Sequence, residues 1–325
     1  MRKLTRQNIL ITGGAGYIGS HIVEQLVNKN NIIIFDNLKT GHKKLINKKA
    51  IFIKGDIKNR KLLSVIIKRY NIQTIIHLAA FLNVAEAERN KLKYKINNIL
   101  GTQNLIIACK NLKVRNLIFS SSCSIYGNAK GLVSERKKPN PQGYYAYTKF
   151  KGEQLIKKYS KIYKFKYAIL RYFNVAGASH SGKIGEIDKS HGHLIKNIAI
   201  QSLKKKQIIN IFGNDYPTKD GTCVRDYIHV SDVADIHIEA LYYLNKNKES
   251  FILNCGYGKG YSVQEIVNIF KKIKKNLIIK YQKRRPGDVA QIYSDTKKLN
   301  QLFKWKPKYN INEIIKSAIK WEKKK

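Results

Sequence analysis

The sequence predicts an α/β protein: a doubly wound parallel sheet with a smaller C-terminal α/β lobe. Three observations carry that expectation. Short β-branched runs alternate with longer helical patterns through the first half of the chain. A glycine-rich turn, Gly13-Gly14-Ala15-Gly16-Tyr17-Ile18-Gly19, joins the first run to the first helical pattern. An acid, Asp36, ends the second run, twenty residues past Gly16. Strand, helix and strand at these intervals mean parallel pairing through crossover helices. Nearly continuous apolar runs are what strands covered on both faces require.

Taken in order, the first strand is expected at 8–12, where Ile9-Leu10-Ile11 is apolar. Bare backbone follows at the glycines, where the start of the next helix (17–29) can hold a pyrophosphate on its N–H groups. Such a glycine pattern alone is common in loops. Strand before, helix after and acid at the right distance together make a dinucleotide site of Rossmann type. The Asp36 carboxylate can accept hydrogen bonds from both ribose hydroxyls of NAD and would repel the extra phosphate of NADP. Lys39, Lys43 and Lys44 nearby weaken that preference without reversing it. Further strands are expected at 31–36, 50–54, 73–78, 116–120 and 167–172, with helices near 58–70, 91–111 and 143–163. After Asn174 the rhythm changes, and loop-rich stretches occupy 177–193 and 213–221. Ile311, Ile314, Ile315, Ala318 and Ile319 then form an amphipathic stripe on a C-terminal helix. The domains expected are 1–173, which binds the dinucleotide, and 174–325, with segments near 225–245 returning to the first.

A length of 325 residues allows one large domain or two of ordinary size. The net charge of +42, from 63 Lys plus Arg against 21 Asp plus Glu, is extreme. Its lysines are scattered through nearly every helical stretch, alongside abundant Ile, Asn and Tyr, as A/T-rich codons would produce. No segment interleaves basic residues with aromatics as a stacking platform for nucleic acid would, so no specific nucleic-acid partner is expected. An anionic substrate would still be drawn in by such a field. No apolar stretch reaches membrane-spanning length, and the N-terminus lacks the apolar core of a secretion signal. Cys109, Cys123, Cys223 and Cys255 show no paired spacing, which argues against a metal site and suits a reducing cytoplasm.

Chemistry is suggested by Tyr145 and Lys149, which share a helix face at i and i+4. A free phenol titrates near 10. A nearby ammonium and an oxidised nicotinamide would pull that value toward neutral pH and make the phenolate a base. The run Ser120-Ser121-Ser122-Cys123-Ser124 ends the strand at 116–120, at the carboxyl edge of the sheet. Ser122 is the candidate to hydrogen-bond a substrate hydroxyl or the Tyr145 oxygen. A serine-rich turn satisfying its own backbone is the plain alternative.

These motifs resemble the extended short-chain dehydrogenase/reductases, and within them the UDP-glucose 4-epimerase family. The resemblance runs from Ile9 to about Trp305. It includes Asn97-Asn98-Ile99-Leu100-Gly101-Thr102, Leu170-Arg171-Tyr172-Phe173-Asn174, Val224-Arg225-Asp226-Tyr227 and Arg284-Arg285-Pro286-Gly287-Asp288. It implies NAD held by Gly13, Gly16, Tyr17, Ile18, Gly19, Asp36, Asn37, Asp56, Ile57, Leu78, Ala79 and Ala80. It places Asn97, Tyr145, Lys149 and Phe173 at the nicotinamide end. It implies a UDP-hexose bound by Ser122, Tyr145, Asn174, His193, Leu194, Phe212, Arg225, Arg285 and Asp288, with Ser122, Tyr145 and Lys149 catalytic. The implied reaction interconverts UDP-glucose and UDP-galactose: C4 is oxidised to a 4-keto sugar, the sugar turns, and C4 is reduced from its other face. A homodimer through the helices at 91–111 and 143–163 is also implied.

Some positions depart from the family pattern. Leu82 stands where many members carry Lys, and His193 where Asn is frequent. Ile292 occupies a position linked to tolerance of N-acetylated sugars. His21 and His229 lie inside family motifs but are expected to be packed or capping. Two alternatives stand beside this reading: a UDP-N-acetylglucosamine 4-epimerase of the same fold, and an inactive basic scaffold that binds NAD.

Overall fold

The computed structural model describes residues 6–187, 192–246, 249–274, 276–285 and 287–324. In chain order its strands are β1 (Asn8–Thr12), β2 (Asn31–Asp36), β3 (Ile51–Lys54), β4 (Thr74–His77), β5 (Asn116–Ser122), β6 (Gly131–Val133), β7 (Lys166–Tyr172), β8 (Asn174–Ala176), β9 (Ile208–Phe212), β10 (Val224–His229), β11 (Phe251–Cys255), β12 (Gly260–Ser262), β13 (Ile278–Gln282) and β14 (Gln291–Ser294). Its α-helices are α1 (Tyr17–Leu26), α2 (Arg60–Arg69), α3 (Val84–Arg89), α4 (Lys91–Tyr94), α5 (Gly101–Ala108), α6 (Tyr144–Tyr163), α7 (Leu194–Gln201), α8 (Val230–Asn245), α9 (Val263–Ile273), α10 (Lys297–Phe303) and α11 (Ile311–Lys324). Among the described residues no helix is long and apolar enough to cross a membrane.

Two compact units result. The first comprises Met1–Ile125, Gly143–Arg171 and Ala234–Leu253; the second comprises Tyr126–Gln142, Tyr172–Val233 and Asn254–Lys325. Beside the division expected at 173 with a return near 225–245, the returning segment is Ala234–Leu253, and Tyr126–Gln142 leaves the first unit. Most of α8 and β11 go with the first unit because β11 extends the edge of its sheet beside β7. Residues 126–142 go with the second because β6 pairs with β14.

The sheet of the first unit has the order β11-β7-β5-β4-β1-β2-β3. β1 lies between β2 and β4, parallel to both, with Leu10 opposite Ile33 on one side and Ile75 on the other. The direction of winding reverses at β1 and β4, and the crevice at such a switch point is where open α/β sheets bind ligands. One face of the sheet buries Leu10, Ile33, Phe35 and Ile75 with Leu63, Ile66 and Ile67 of α2 and Leu105 of α5. Another cluster joins Leu117 and Phe119 of β5 to Ile156 of α6 and Ile169 of β7.

The helix expected over 91–111 is divided. α4 runs into a π-helical turn, Lys95–Leu100, and α5 ends at Ala108. A further short helix, α3, precedes it, capped by Asn83, whose side chain accepts from the Glu86 N–H at 2.9 Å. The extra residue of a π-turn changes which side chains face inward. Here Asn97 and Asn98 are both buried.

In the second unit, β10 is the hub: it pairs with β12, β14 and β8. Its Asp226 is fully buried and accepts from the Ser294 hydroxyl at 2.6 Å, the Tyr257 N–H at 2.9 Å and the Gly258 N–H at 3.0 Å. The five residues of the C-terminal stripe are all buried, packed with Ile195 and Ile198 of α7, Tyr227 of β10 and Phe270 of α9. Truncating Ile315, which is 0% exposed, leaves a cavity. Ile315→Ala is expected to lower unfolding free energy by about 2–5 kcal/mol, read as a shifted urea midpoint.

Candidate active site

The glycine turn is shaped by close backbone approach. Gly13 has φ of +75°, and a Cβ there would lie 2.8 Å from the Ala79 nitrogen, so residues 78–80 after β4 pack directly on the turn. A Cβ on Gly19 would collide with the Gly13 carbonyl. Gly16 caps α1 without a side-chain hydrogen bond. Tyr17 and Ile18 are half-buried in the first turn, and Tyr17 meets the His21 ring edge-on. Burial lowers the His21 pKa to about 4, against the bond to the Tyr17 carbonyl. It is a packed, neutral histidine.

Asp36 is buried at the end of β2. Its carboxylate accepts from the Ala15 N–H at 3.1 Å and the Leu38 N–H at 2.8 Å. Burial raises its pKa, and those two bonds work against the rise. Each oxygen keeps a lone pair with which to accept a further donor. Beyond it, Asn37 donates to Asp56 at 3.0 Å. Burial alone would raise Asp56, but bonds from the Lys58 N–H and Asn37, with the charges of Lys58 and Lys39, hold it below its usual value. Ile57 is buried. Leu82 is exposed.

The Ser122 hydroxyl lies beside the Tyr145 phenol and favours its ionised form. The Ser122 hydroxyl accepts from the Ser124 hydroxyl at 2.9 Å and the Ser124 N–H at 3.2 Å. Lys149, one turn along α6, donates to the Ser120 carbonyl at 2.9 Å, with its nitrogen 5.9 Å from the Tyr145 ring centre. The lysine-driven acidification of the phenol expected above is not what these residues produce by themselves. Burial pushes Tyr145 above its ordinary value, Ser122 opposes this, and Cys123 adds to it. The same burial lowers Lys149 to about 7. Desolvation is therefore the first influence on both groups.

Sequence reasoning passed over a buried polar chain beneath these groups. Thr12 meets His77 Nδ1 at 2.7 Å, and His77 Nε2 meets the Thr102 hydroxyl at 2.9 Å. Thr102 donates to the Asn98 carbonyl at 2.7 Å. Burial, then the Lys149 charge, lowers His77 to about 3. Asn98 ties the loop after β4 to α6: its side chain pairs with the Phe81 backbone and donates to Thr148 at 3.2 Å. Asn97 donates to Asn98 at 3.0 Å. The Asn97-Asn98 doublet was the available signal for this link.

A second cluster belongs to the second unit. The Arg225 guanidinium donates to the Val289 carbonyl at 2.7 Å and reaches Asp288 at 3.4 Å. The Arg285 guanidinium lies 3.9 Å over the Phe212 ring, and Arg284 lies 4.2 Å over Tyr216. Two expected substrate contacts, Arg225 and Asp288, are thus paired with each other, and two more, Arg285 and Phe212, are stacked. Ile292 is buried on β14 opposite Arg225. Phe173 is buried, and Asn174 pairs with Tyr227 in the β8–β10 ladder. His193 caps α7 just before Leu194, with Nδ1 2.8 Å from Glu186. His229 accepts from the Ser231 N–H and stacks on Tyr309 at 4.0 Å, so it too is packed and capping.

A glycine turn at a switch point, a buried acid after β2 and a serine–tyrosine–lysine set on β5 and α6 define an active site of the short-chain dehydrogenase/reductase type. The chain belongs to the NAD dependent epimerase/dehydratase family, whose model matches residues 9–256. It is 41% identical over 320 residues to a UDP-glucose 4-epimerase of Lactobacillus helveticus, covering 97% of each chain. A crystal structure of a UDP-glucose 4-epimerase superposes with a TM-score of 0.94 at 38% identity, covering 98% of each chain. The UDP-glucose-4-epimerase of Stenotrophomonas maltophila, with bound NAD and formylated UDP-arabinopyranose, superposes at 0.93 with 32% identity and 98% of each chain covered.

Lys149 carries a pH signature. Its value falls from 10.5 to about 7 on folding. Between those values the unfolded chain holds a proton that the native lysine lacks, so this group makes stability rise with pH across that window. Its penalty is fully present below about pH 7. Lys149→Met should remove that rise. Urea unfolding of both proteins from pH 7 to 10 checks this, and a difference curve flat with pH would contradict it.

Proposed function

We propose that the chain interconverts UDP-glucose and UDP-galactose by inverting C4 of the hexose, with NAD retained from cycle to cycle. The observation that carries this reading is the placing of Ser122 beside the Tyr145 phenol, with Lys149 one turn away on the same helix. The residues present fit a dinucleotide. The backbone at Gly13, Gly16 and Gly19 is tight and bare, and Asp36 is held in place by two backbone donors with acceptor capacity to spare. Tyr17, Ile18, Asn37, Asp56, Ile57 and Leu78 to Ala80 would flank the adenosine half, and Asn97, Tyr145, Lys149 and Phe173 the other end. When bound, NAD supplies the hydride acceptor and donor for C4, and its positive charge favours phenolate.

The chain's own residues then have the following work. Tyr145 takes the proton from the sugar O4 and later returns one, with Ser122 bridging the two oxygens. Lys149, near neutrality in its charge balance, is poised to stabilise phenolate as Tyr145 ionises. Arg225 and Arg285 offer planar forks suited to a diphosphate, which requires Arg225 to exchange Asp288 for phosphate. Asp288 is then available for the uridine ribose, and Phe212 offers its ring to the uracil. Asn174, with His193 and Leu194 at the start of α7, completes the sugar and phosphate contacts. An inactive scaffold would have no need of a serine, a tyrosine and a lysine gathered at one sheet edge.

Pairing into a homodimer through α4–α5 and α6 is part of this proposal. These helices expose Leu92, Leu100, Tyr147 and Ile162, and a pair of chains would cover them. The four free cysteines suit a reducing cytoplasm.

Purified protein should convert UDP-galactose to UDP-glucose without added NAD. Tyr145→Phe should lower kcat by about 10²-fold or more with little change in KM. A fully active Tyr145→Phe enzyme would sink the base assignment. Running the assay with UDP-N-acetylglucosamine measures tolerance of the larger sugar. Leu92→Glu should move the protein toward monomer in sedimentation equilibrium, and an unchanged mass would remove these helices as the interface.

A further inference from the structure

Tyr145, Lys149 and Glu153 stand at i, i+4 and i+8 along one face of α6. Three consecutive residues at the end of β5 meet them, one each. Ser122 lies beside the Tyr145 hydroxyl. The Ser120 carbonyl accepts from Lys149 at 2.9 Å. The Ser121 hydroxyl donates to Glu153 Oε1 at 2.6 Å. Glu153 is gripped in turn from β7: Arg171 Nε donates to Oε1 at 3.0 Å and Nη2 to Oε2 at 2.8 Å. Both members of this ion pair are buried, Glu153 at 0% and Arg171 at 1% exposure. A buried pair of this kind typically contributes little net stability compared with apolar residues of the same volume. Stability alone therefore explains poorly why a carboxylate and a guanidinium sit directly behind the catalytic turn.

We propose that Glu153 and Arg171 are positioning residues for the reaction. The bidentate fork fixes the carboxylate in two directions, and that carboxylate anchors Ser121. With Ser121 held, its neighbour Ser122 is set against Tyr145, and α6 is locked in register on β5. A site of this kind loses rate steeply when its supporting side chains allow small displacements. The inference rests on the epimerase reading given above.

The test uses the full-length protein with its retained NAD. One variant is the double change Glu153→Leu with Arg171→Leu, which removes both charges and keeps the core filled. The other is Ser121→Ala, which leaves the ion pair intact and cuts only its link to the strand. Each is expected to keep KM for UDP-galactose within about twofold and to lose about tenfold or more in kcat, the loss a small misplacement produces. A readout independent of turnover is the 13Cζ resonance of Tyr145, assigned by its disappearance in Tyr145→Phe, which should move in both variants as Ser122 shifts relative to the phenol. Wild-type kcat in the folded double variant, or a kcat loss with an unmoved resonance, would overturn the proposal. If the double variant does not fold, Ser121→Ala decides by the same two measurements. Failure of the wild-type protein to epimerise would overturn the functional reading instead, and the resonance would still report on positioning.

Discussion

The close backbone approach at the end of β1 is the constraint on which the rest depends. Gly13 has room for no side chain because residues 78–80 pack against it. Gly19 is pressed on the Gly13 carbonyl, so α1 starts immediately above the sheet. The same turn places the Ala15 N–H on Asp36, tying the acid of β2 to the turn after β1. One crowded corner thus sets the helix start, the position of the acid and the line of the crevice between β1 and β4.

Around that corner the fold tolerates several groups that water would ionise differently. His21, His77, Tyr145 and Lys149 are all driven toward their neutral forms by burial. The two histidines stay neutral because burial outweighs everything else that acts on their rings. The tyrosine and lysine differ, since each faces the other and the end of β5. A lysine lowered to about 7 changes its charge readily when one charge is added beside it. That is a useful property in a site whose proton must leave and return within each cycle.

Much of this could be read from the residues. Apolar runs marked six strands of the principal sheet to within a residue or two, and the C-terminal stripe identified the face of α11 without error. The strand β11 was missed because Phe251-Ile252-Leu253-Asn254-Cys255 is short and follows a long helix in the half where the rhythm had changed. The π-turn at Lys95–Leu100 was illegible because its apolar spacing still fits an ordinary helix. Ser122, Tyr145 and Lys149 could be chosen by type and spacing, and the structure brings them together. Their protonation could not be chosen that way, because desolvation depends on what surrounds a group in three dimensions. Glu153 was within reach of the same reasoning, one turn past Lys149, but its partner Arg171 comes from another strand. The Arg225–Asp288 and Arg285–Phe212 pairings likewise join segments that sequence spacing treats as independent.

The return of Ala234–Leu253 to the first unit has a consequence for biosynthesis. β11 is the outermost strand of the principal sheet, yet it is made long after β7, its neighbour. Until residue 255 leaves the ribosome, β7 presents an unpaired row of amides and carbonyls, the kind of edge that invites pairing with another nascent chain. A fragment ending near residue 173 would keep that edge exposed, because the strand that covers it comes later in the chain.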